Sequence, residues 1–117
     1  MTDRELIQQT INYYAEGGTN GEPETVAKAF HPTAFMKFIK AGEFTDVPIE
    51  EFFSSFIQKG KTQQRTVAVN YIDVTGNTAS AKLTIDYATH QYVDYFNLLK
   101  IKEQWLIVSK IFYRIDK

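Results

Sequence analysis

Residues 92–112 read YVDYFNLLKIKEQWLIVSKIF, and they carry the clearest structural signal in the chain. Two runs rich in apolar and aromatic residues flank the polar pair Lys102-Glu103, a pattern typical of two β-strands joined by a tight turn. The second run is apolar at odd and even positions alike, so we expect both faces of this hairpin to be covered. Pairing across the turn predicts four pairs of opposite residues: Lys100 with Trp105, Leu98 with Ile107, Phe96 with Ser109, and Asp94 with Ile111.

The predicted pairing assigns the polar residues of this hairpin to two different faces. Asp94 and Ser109 are expected to point toward the helices, whereas Lys110, beside Tyr95, belongs to the opposite face. A slip of one residue at the turn would exchange the two sets, because side chains alternate along a strand. The face assigned to each residue therefore depends on this register.

An earlier hairpin is predicted around Gly76-Asn77, a dipeptide that suits a two-residue turn of type II′. Its register places Val67, Val69 and Tyr71 on the face away from the helices. The predicted opposite residues are Val74 with Ala79, Ile72 with Ala81, Asn70 with Leu83, and Ala68 with Ile85.

The first half of the chain carries the periodicity and the end signals of three helices. They are predicted at 3–16, between a capping box of Thr2 and Glu5 and the terminator Gly17-Gly18; from Pro23 to Phe30, closed by His31-Pro32; and from Pro48 to Gly60. A small hairpin is predicted at 35–40 and 44–47. These elements predict one α+β domain over residues 1–117. In it, three helices pack on the concave face of a cone-like, curved, six-stranded sheet of mixed or antiparallel strands.

The composition excludes several kinds of partner. The chain has 117 residues and a net charge of -1, with its charges scattered, so it lacks the basic stripe that nucleic acid or an anionic membrane requires. It has no cysteine and only two histidines, without metal-ligand spacing, so neither a metal nor a cofactor is expected. The N-terminus opens on a polar helix signal instead of an apolar run, and we expect a cytoplasmic protein.

The order of these elements resembles the nuclear-transport-factor-2-like (NTF2-like) superfamily over the whole chain. That superfamily has the cone-shaped fold of ketosteroid isomerase, scytalone dehydratase and polyketide cyclases. Within residues 92–112, the patterns Tyr-x-Asp-Tyr, Leu-x-Lys and Trp-x-Ile-Val-x-Lys are similar to the "putative lumazine-binding" subgroup. The resemblance implies the fold without fixing the chemistry. Residues 34–38, where the isomerases carry their base, contain no carboxylate, which argues against isomerase chemistry.

A homodimer is the expected use of the sheet face that points away from the helices. An apolar face that the chain's own helices leave uncovered is typical of a contact surface, and a twofold axis is its simplest arrangement. The alternative is that terminal segments of the same chain cover it. The predicted interface residues are Val67, Val69, Tyr71, Tyr95, Asn97, Val108, Lys110 and Phe112.

An aromatic-lined pocket is expected between the helices and the sheet. Tyr14 or its neighbour Tyr13 is a candidate proton donor, Asp94 or Asp86 a candidate carboxyl, and His31 a candidate base because imidazole titrates near neutral pH. Purely structural roles compete with each of these, such as closing a helix for His31. The predicted lining residues are Tyr14, Phe30, Phe35, Phe56, Tyr87, Asp94, Phe96 and Ser109.

Three functions follow from this pattern. The first is a homodimeric binding domain for a small, largely apolar or aromatic ligand. The second is a cofactor-independent lyase or isomerase that uses Tyr14, His31 and Asp94. The third is a protein-interaction domain without a pocket.

Overall fold

The computed structural model describes residues 1–117, and it confirms the predicted α+β fold with a six-stranded mixed sheet. The sheet order is β2-β1-β6-β5-β4-β3, and every neighbouring pair is antiparallel except β1 with β6, which is parallel. The sheet stays open, with β2 and β3 as its edges. The elements are α1 (Asp3–Asn20), α2 (Pro23–Ala27), β1 (Phe30–Lys40), β2 (Glu43–Pro48), α3 (Ile49–Ser55), β3 (Thr66–Thr75), β4 (Thr78–Asp86), β5 (His90–Ile101) and β6 (Gln104–Asp116).

Helix α1 begins at the predicted capping box but ends four residues later than predicted. Gly17 and Gly18 are helical, and Gly21, with φ of 67°, closes the helix. The two glycines do not end the helix; they leave room for side chains that pack closely against it. A Cβ at Gly17 would lie 2.8 Å from Cγ2 of Val26, and one at Gly18 would collide with the Arg65 guanidinium. The prediction that Gly17-Gly18 ends the helix is therefore wrong.

The other two helices are shorter than predicted. Helix α2 ends at Ala27, and His31-Pro32 lies in β1, where the pairing with β6 is interrupted between Phe30 and Phe35. Pro32 is tolerated there because no ladder hydrogen bond requires its missing N–H. Helix α3 ends at Ser55 instead of Gly60, because the following segment turns away and the Gly60 N–H donates to the Gly21 carbonyl (2.8 Å).

The hydrophobic core fills the space between the helices and one face of the sheet. Helix α1 lies against β3 and β6, and α3 lies against β1 and β2. Fully buried side chains from helices and strands meet there, among them Ile7, Ile11, Ile49, Leu83, Phe96, Leu98 and Ile107. No helix combines the length and the apolar composition needed to cross a membrane.

The β3–β4 hairpin has the predicted turn but changes register partway along. Val74 lies opposite Ala79 and Ile72 opposite Ala81, as predicted. Asn70 then forms a bulge, so that Val69 pairs with Leu83 and Val67 with Ile85. A bulge inserts one unpaired residue and reverses the facing of everything beyond it. Val67 and Val69 consequently pack against the core, and their prediction as interface residues is wrong.

The β5–β6 hairpin behaves in the same way. Lys100 lies opposite Trp105 and Leu98 opposite Ile107, as predicted, but Val108 is then unpaired. Beyond it the opposite residues are Asn97 with Ser109, Phe96 with Lys110, and Asp94 with Phe112.

Three predictions on β6 are reversed by this bulge. Lys110 and Phe112 were expected on the outer face, but Lys110 is buried and Phe112 packs against the core. Ser109 was expected to face the helices, but it lies on the outer face, where its Oγ accepts a hydrogen bond from Asn97 (3.1 Å). Because Asp94 also points inward, the bulge brings Lys110 and Asp94 to the same face of the sheet.

Candidate functional site

A cleft of about 520 Å³ opens between the helices and the sheet. Its walls come from all three helices, the segment between α3 and β3, every strand except β3, and Tyr87 between β4 and β5. Hydrophobic residues make up 13 of the 22 that line it. A mostly apolar concavity of this size, with few polar groups, is the usual construction of a small-molecule site.

The floor of the cleft holds a buried chain of three polar side chains. The Tyr14 hydroxyl donates to Oδ2 of Asp94 at 2.6 Å, and Nζ of Lys110 donates to the same hydroxyl at 2.7 Å. The ammonium and the carboxylate are 3.9 Å apart. Asp94 is 1% exposed, and Tyr14 and Lys110 are each 5% exposed. The arrangement offers a continuous path for a proton from nitrogen to carboxylate.

Each member of this chain comes from a different element. Tyr14 lies on the α1 stripe that also buries Ile7 and Ile11, so helical periodicity turns it toward the sheet. Asp94 belongs to the inward set of β5, two residues before Phe96. Lys110 points inward only because of the bulge at Val108.

Burial changes the proton affinities of two of these groups. Loss of water, followed by the charge of Asp94, raises the pKa of Tyr14 well above its ordinary value, so the hydroxyl keeps its proton. Loss of water lowers the pKa of Lys110; the Arg65 charge acts in the same direction, and Asp94 opposes it. The Lys110 amine is therefore more often neutral than a surface lysine.

Aromatic rings enclose the Lys110 ammonium. Its Nζ lies 4.4 Å from the ring centre of Phe52, 4.8 Å from that of Tyr14 and 5.3 Å from that of Phe112. Such contacts return part of the solvation that a buried cation loses. Phe96 meets the Tyr14 ring edge-on at 5.0 Å and fixes its orientation.

Arg65 forms a second charged feature of the cleft wall. Its guanidinium donates to Oγ1 of Thr19 (2.9 Å), to the Tyr87 hydroxyl (3.1 Å) and to the Ala15 carbonyl (3.0 Å). Gly18 leaves the space that the guanidinium occupies. Because α1 holds the side chain at two points and Tyr87 holds it at a third, its charge is fixed in position.

The structure brings together half of the predicted lining residues. Tyr14, Phe56, Tyr87 and Asp94 line the cleft. The other four lie elsewhere: Phe30 and Phe96 are buried against the Tyr14 ring, Phe35 is 38% exposed on the outer face, and Ser109 is on that face too.

The remaining catalytic candidates lie outside the cleft. The His31 Nδ1 is 2.9 Å from Oγ1 of Thr33 and accepts a hydrogen bond from the Thr33 N–H, so these contacts of His31 are local to β1. Tyr13 accepts a hydrogen bond from Gln9, and Asp86 forms an ion pair with Lys117 at 2.6 Å. None of these candidates reaches the buried chain.

Sequence reasoning missed two residues of the site. Lys110 is a charged residue within an apolar strand, and this pattern could have identified it. The predicted register lacked the bulge at Val108, however, and therefore placed Lys110 on the wrong face. Arg65 lies in an irregular segment whose sequence gives no direction for its side chain. No group of three or more His, Cys, Asp or Glu side chains is arranged to hold a metal ion.

Comparison with known proteins identifies one matching family and several similar crystal structures. Residues 2–113 match the family described as "Putative lumazine-binding". Two crystal structures of NTF2-like proteins of unknown function are similar to it. One is from Shewanella baltica OS155 (TM-score 0.85, 26% identity, 96% of this chain and 93% of that one). The other is from Methylobacillus flagellatus KT (TM-score 0.84, 25% identity, 94% and 90%).

A curated relative carries the name of an enzyme. The chain is 25% identical over 114 residues to Aldolase FrzH of Cladobotryum sp., covering 96% of this chain and 91% of the relative. The similarity therefore extends over nearly the whole length of both proteins.

Proposed function

The chain belongs to the family described as "Putative lumazine-binding", and within it we propose a domain that binds a small, largely apolar or aromatic molecule in the cleft. The observation that carries this proposal is the cleft itself, with its aromatic walls and buried Asp94–Tyr14–Lys110 floor. Its volume, about 520 Å³, lies within the range of ligand pockets. The open cleft favours ligand binding over an interaction domain without a pocket.

The floor also indicates what the ligand carries. The Lys110 ammonium has three N–H groups, and its only hydrogen bond goes to Tyr14. A ligand oxygen can accept one of the others, while the rings of Phe52 and Phe112 pack against an apolar body. We therefore expect an aromatic or alicyclic compound with at least one acceptor oxygen.

A thermal-shift screen tests this proposal with aromatic heterocycles, flavin precursors, polyketide-like and steroid-like compounds. A ligand at 100 times its Kd stabilises the folded state by about 2.7 kcal/mol, which raises Tm measurably. Lys110→Met should abolish the shift, whereas Ser109→Ala, one residue away on the outer face, should keep it. A shift of equal size in both variants, or none with any compound, would contradict binding in this cleft.

A cofactor-independent enzyme acting on a carbonyl compound is the second candidate. The hydrogen-bonded path from Lys110 through Tyr14 to Asp94 favours it, because removing a proton next to a carbonyl requires a base and a proton donor in one site. The relative named as an aldolase also supports it. Exchange of ligand C–H for deuterium, followed by NMR with wild type and Asp94→Asn, tests this candidate.

The homodimer stays a prediction, with a corrected surface. Tyr71, Tyr95, Asn97 and Val108 remain on the outer face, and the register adds Leu99, Ile111 and Tyr113 to it. A second copy is the expected partner because the face is rich in tyrosine and poor in charge, the composition of an interface core. Sedimentation velocity should find a dimer that Tyr95→Glu converts to a monomer.

A further inference from the structure

We infer that Lys110 is a nucleophile that condenses with an aldehyde or ketone group of the bound ligand to form a Schiff base. The inference rests on the proposed function, and it specifies the ligand class as carbonyl compounds. Lys110 is the only buried lysine, and it lines the cleft. A lysine removed from water in an apolar pocket is the form in which proteins use this side chain as an amine nucleophile.

The surroundings of Lys110 favour the neutral amine that nucleophilic attack requires. Burial and the fixed charge of Arg65 lower its pKa, and Asp94 offsets part of that effect. Glu51 from α3 and Arg114 from β6 also line the cleft. The Nζ atom bonds to the Tyr14 hydroxyl alone, so its lone pair can be directed at a carbonyl carbon in the cleft.

The condensation balances with the groups present. The neutral amine attacks the carbonyl carbon, a C–N bond forms, and the π pair of the C=O bond moves to oxygen. One proton passes from nitrogen to that oxygen, giving a carbinolamine. The hydroxyl then takes a second proton and leaves as water while nitrogen loses its remaining hydrogen and C=N forms. Both hydrogens of the water come from the amine, so no oxidant, reductant or further reactant is needed.

Tyr14 and Asp94 are placed to carry these protons. The hydroxyl is 2.7 Å from Nζ, and the carboxylate is 2.6 Å from the hydroxyl. The raised pKa of Tyr14 keeps it in the protonated form that can donate to the departing oxygen. When the imine nitrogen takes up a proton, for which Tyr14 is the neighbouring donor, the resulting iminium withdraws electrons from the adjacent C–H, and this is the activation that carbon–carbon bond formation or cleavage requires.

Reductive trapping tests the inference on the full chain. Wild-type protein is incubated at neutral pH with 2-naphthaldehyde, benzaldehyde or acetophenone and sodium cyanoborohydride, and the modified residues are mapped by peptide mass spectrometry. We expect labelling at Lys110 at least about tenfold faster than at any other lysine, because surface lysines are almost fully protonated. Its rate should also reach a plateau at lower pH than that of the surface lysines.

Lys82 provides the matched control. It lies on the outer face of the same sheet, with Nζ 5.5 Å from the Tyr95 ring centre, so like Lys110 it has an aromatic neighbour, but it is not buried. Lys110→Met should remove the fast label and Lys82→Met should leave it. If Lys110→Met does not fold, the map of the wild-type protein still decides the question.

A thermal shift with the same probes, without reductant, separates the two proposals. Stabilisation with label spread over surface lysines and none at Lys110 would overturn the Schiff base and leave ligand binding standing. Neither stabilisation nor label at Lys110 with any probe would overturn both.

Discussion

The β3–β4 and β5–β6 hairpins contain the same irregularity with different results. Each has its predicted turn, and each contains one unpaired residue, Asn70 or Val108, that reverses the facing of the residues beyond it. In the first hairpin the reversal turns Val67 and Val69 to the core. In the second it turns Lys110 into the cleft beside Asp94. A bulge in an apolar strand adds packing, whereas a bulge beside a charged residue creates a candidate site.

Substitutions at two paired residues should distinguish the hairpins most strongly. Asp94 lies opposite Leu83 across the β4–β5 ladder, and both side chains are buried. Asp94→Ala should cost about 3 to 5 kcal/mol of unfolding free energy, because it leaves the Lys110 ammonium buried without its carboxylate. Leu83→Ala should cost about 2 to 5 kcal/mol by opening a cavity. Urea denaturation measures both.

Adding Lys110→Met to each variant shows which loss is electrostatic. In Asp94→Ala it should recover much of the lost unfolding free energy, since no unpaired charge remains. In Leu83→Ala it should recover none of it. Equal behaviour of the two double variants would contradict the assignment of Lys110 and Asp94 to one site.

The burial of Lys110 should also make the unfolding free energy depend on pH, with a smaller effect than the substitutions at Asp94 and Leu83. Because the pKa of Lys110 is lowered, the folded state binds fewer protons than the unfolded state between that pKa and the ordinary value of 10.5. The unfolding free energy contributed by Lys110 therefore rises with pH across this window. The raised pKa of Tyr14 acts in the opposite sense, lowering stability above its ordinary value of 10.0.

Urea denaturation from neutral pH to about pH 10 measures this contribution. Lys110→Met should remove the rise, and Lys82→Met, on the outer face, should preserve it. Identical slopes in the wild type and Lys110→Met would mean that Lys110 titrates as a surface lysine.

The smallest effect is expected at Ser109, where the predicted and observed registers disagree. Its side chain is half-buried on the outer face, outside the cleft, with one hydrogen bond to Asn97. Ser109→Val should change the unfolding free energy by no more than about 0.5 kcal/mol and leave ligand affinity unchanged. A large loss of ligand affinity, measured by calorimetry, would indicate that Ser109 lies in the cleft and would contradict the observed register.

The two bulges mark the limit of what could be predicted from the sequence. The sheet, the turns at Gly76-Asn77 and Lys102-Glu103, and the inward position of Tyr14 follow from periodicity and turn chemistry, and the structure has all of them. A bulge has no such local signature: residues 107–110 read Ile-Val-Ser-Lys, which fits either register until the facing element is known. Ser109, Lys110 and Phe112 were therefore assigned to the wrong faces of the sheet.

The helix ends were missed for a related reason. Gly17-Gly18 has the composition of a helix terminator, but the glycines accommodate Val26, from the next helix, and Arg65, from the segment before β3. His31-Pro32 resembles a helix end, yet it falls where β1 does not pair with β6. In both places the tertiary environment outweighs the local preference, and the sequence alone does not contain that environment.

The protonation of Lys110 can be followed by NMR of protein labelled with ¹³C at lysine Cε, titrated from neutral to strongly alkaline pH. The buried chain with Tyr14 and Asp94 predicts one signal that is absent from Lys110→Met, is retained in Lys82→Met, and titrates at lower pH than the other lysines. If the signal assigned to Lys110 instead titrates together with the rest, the ammonium is solvated and the site described here does not exist.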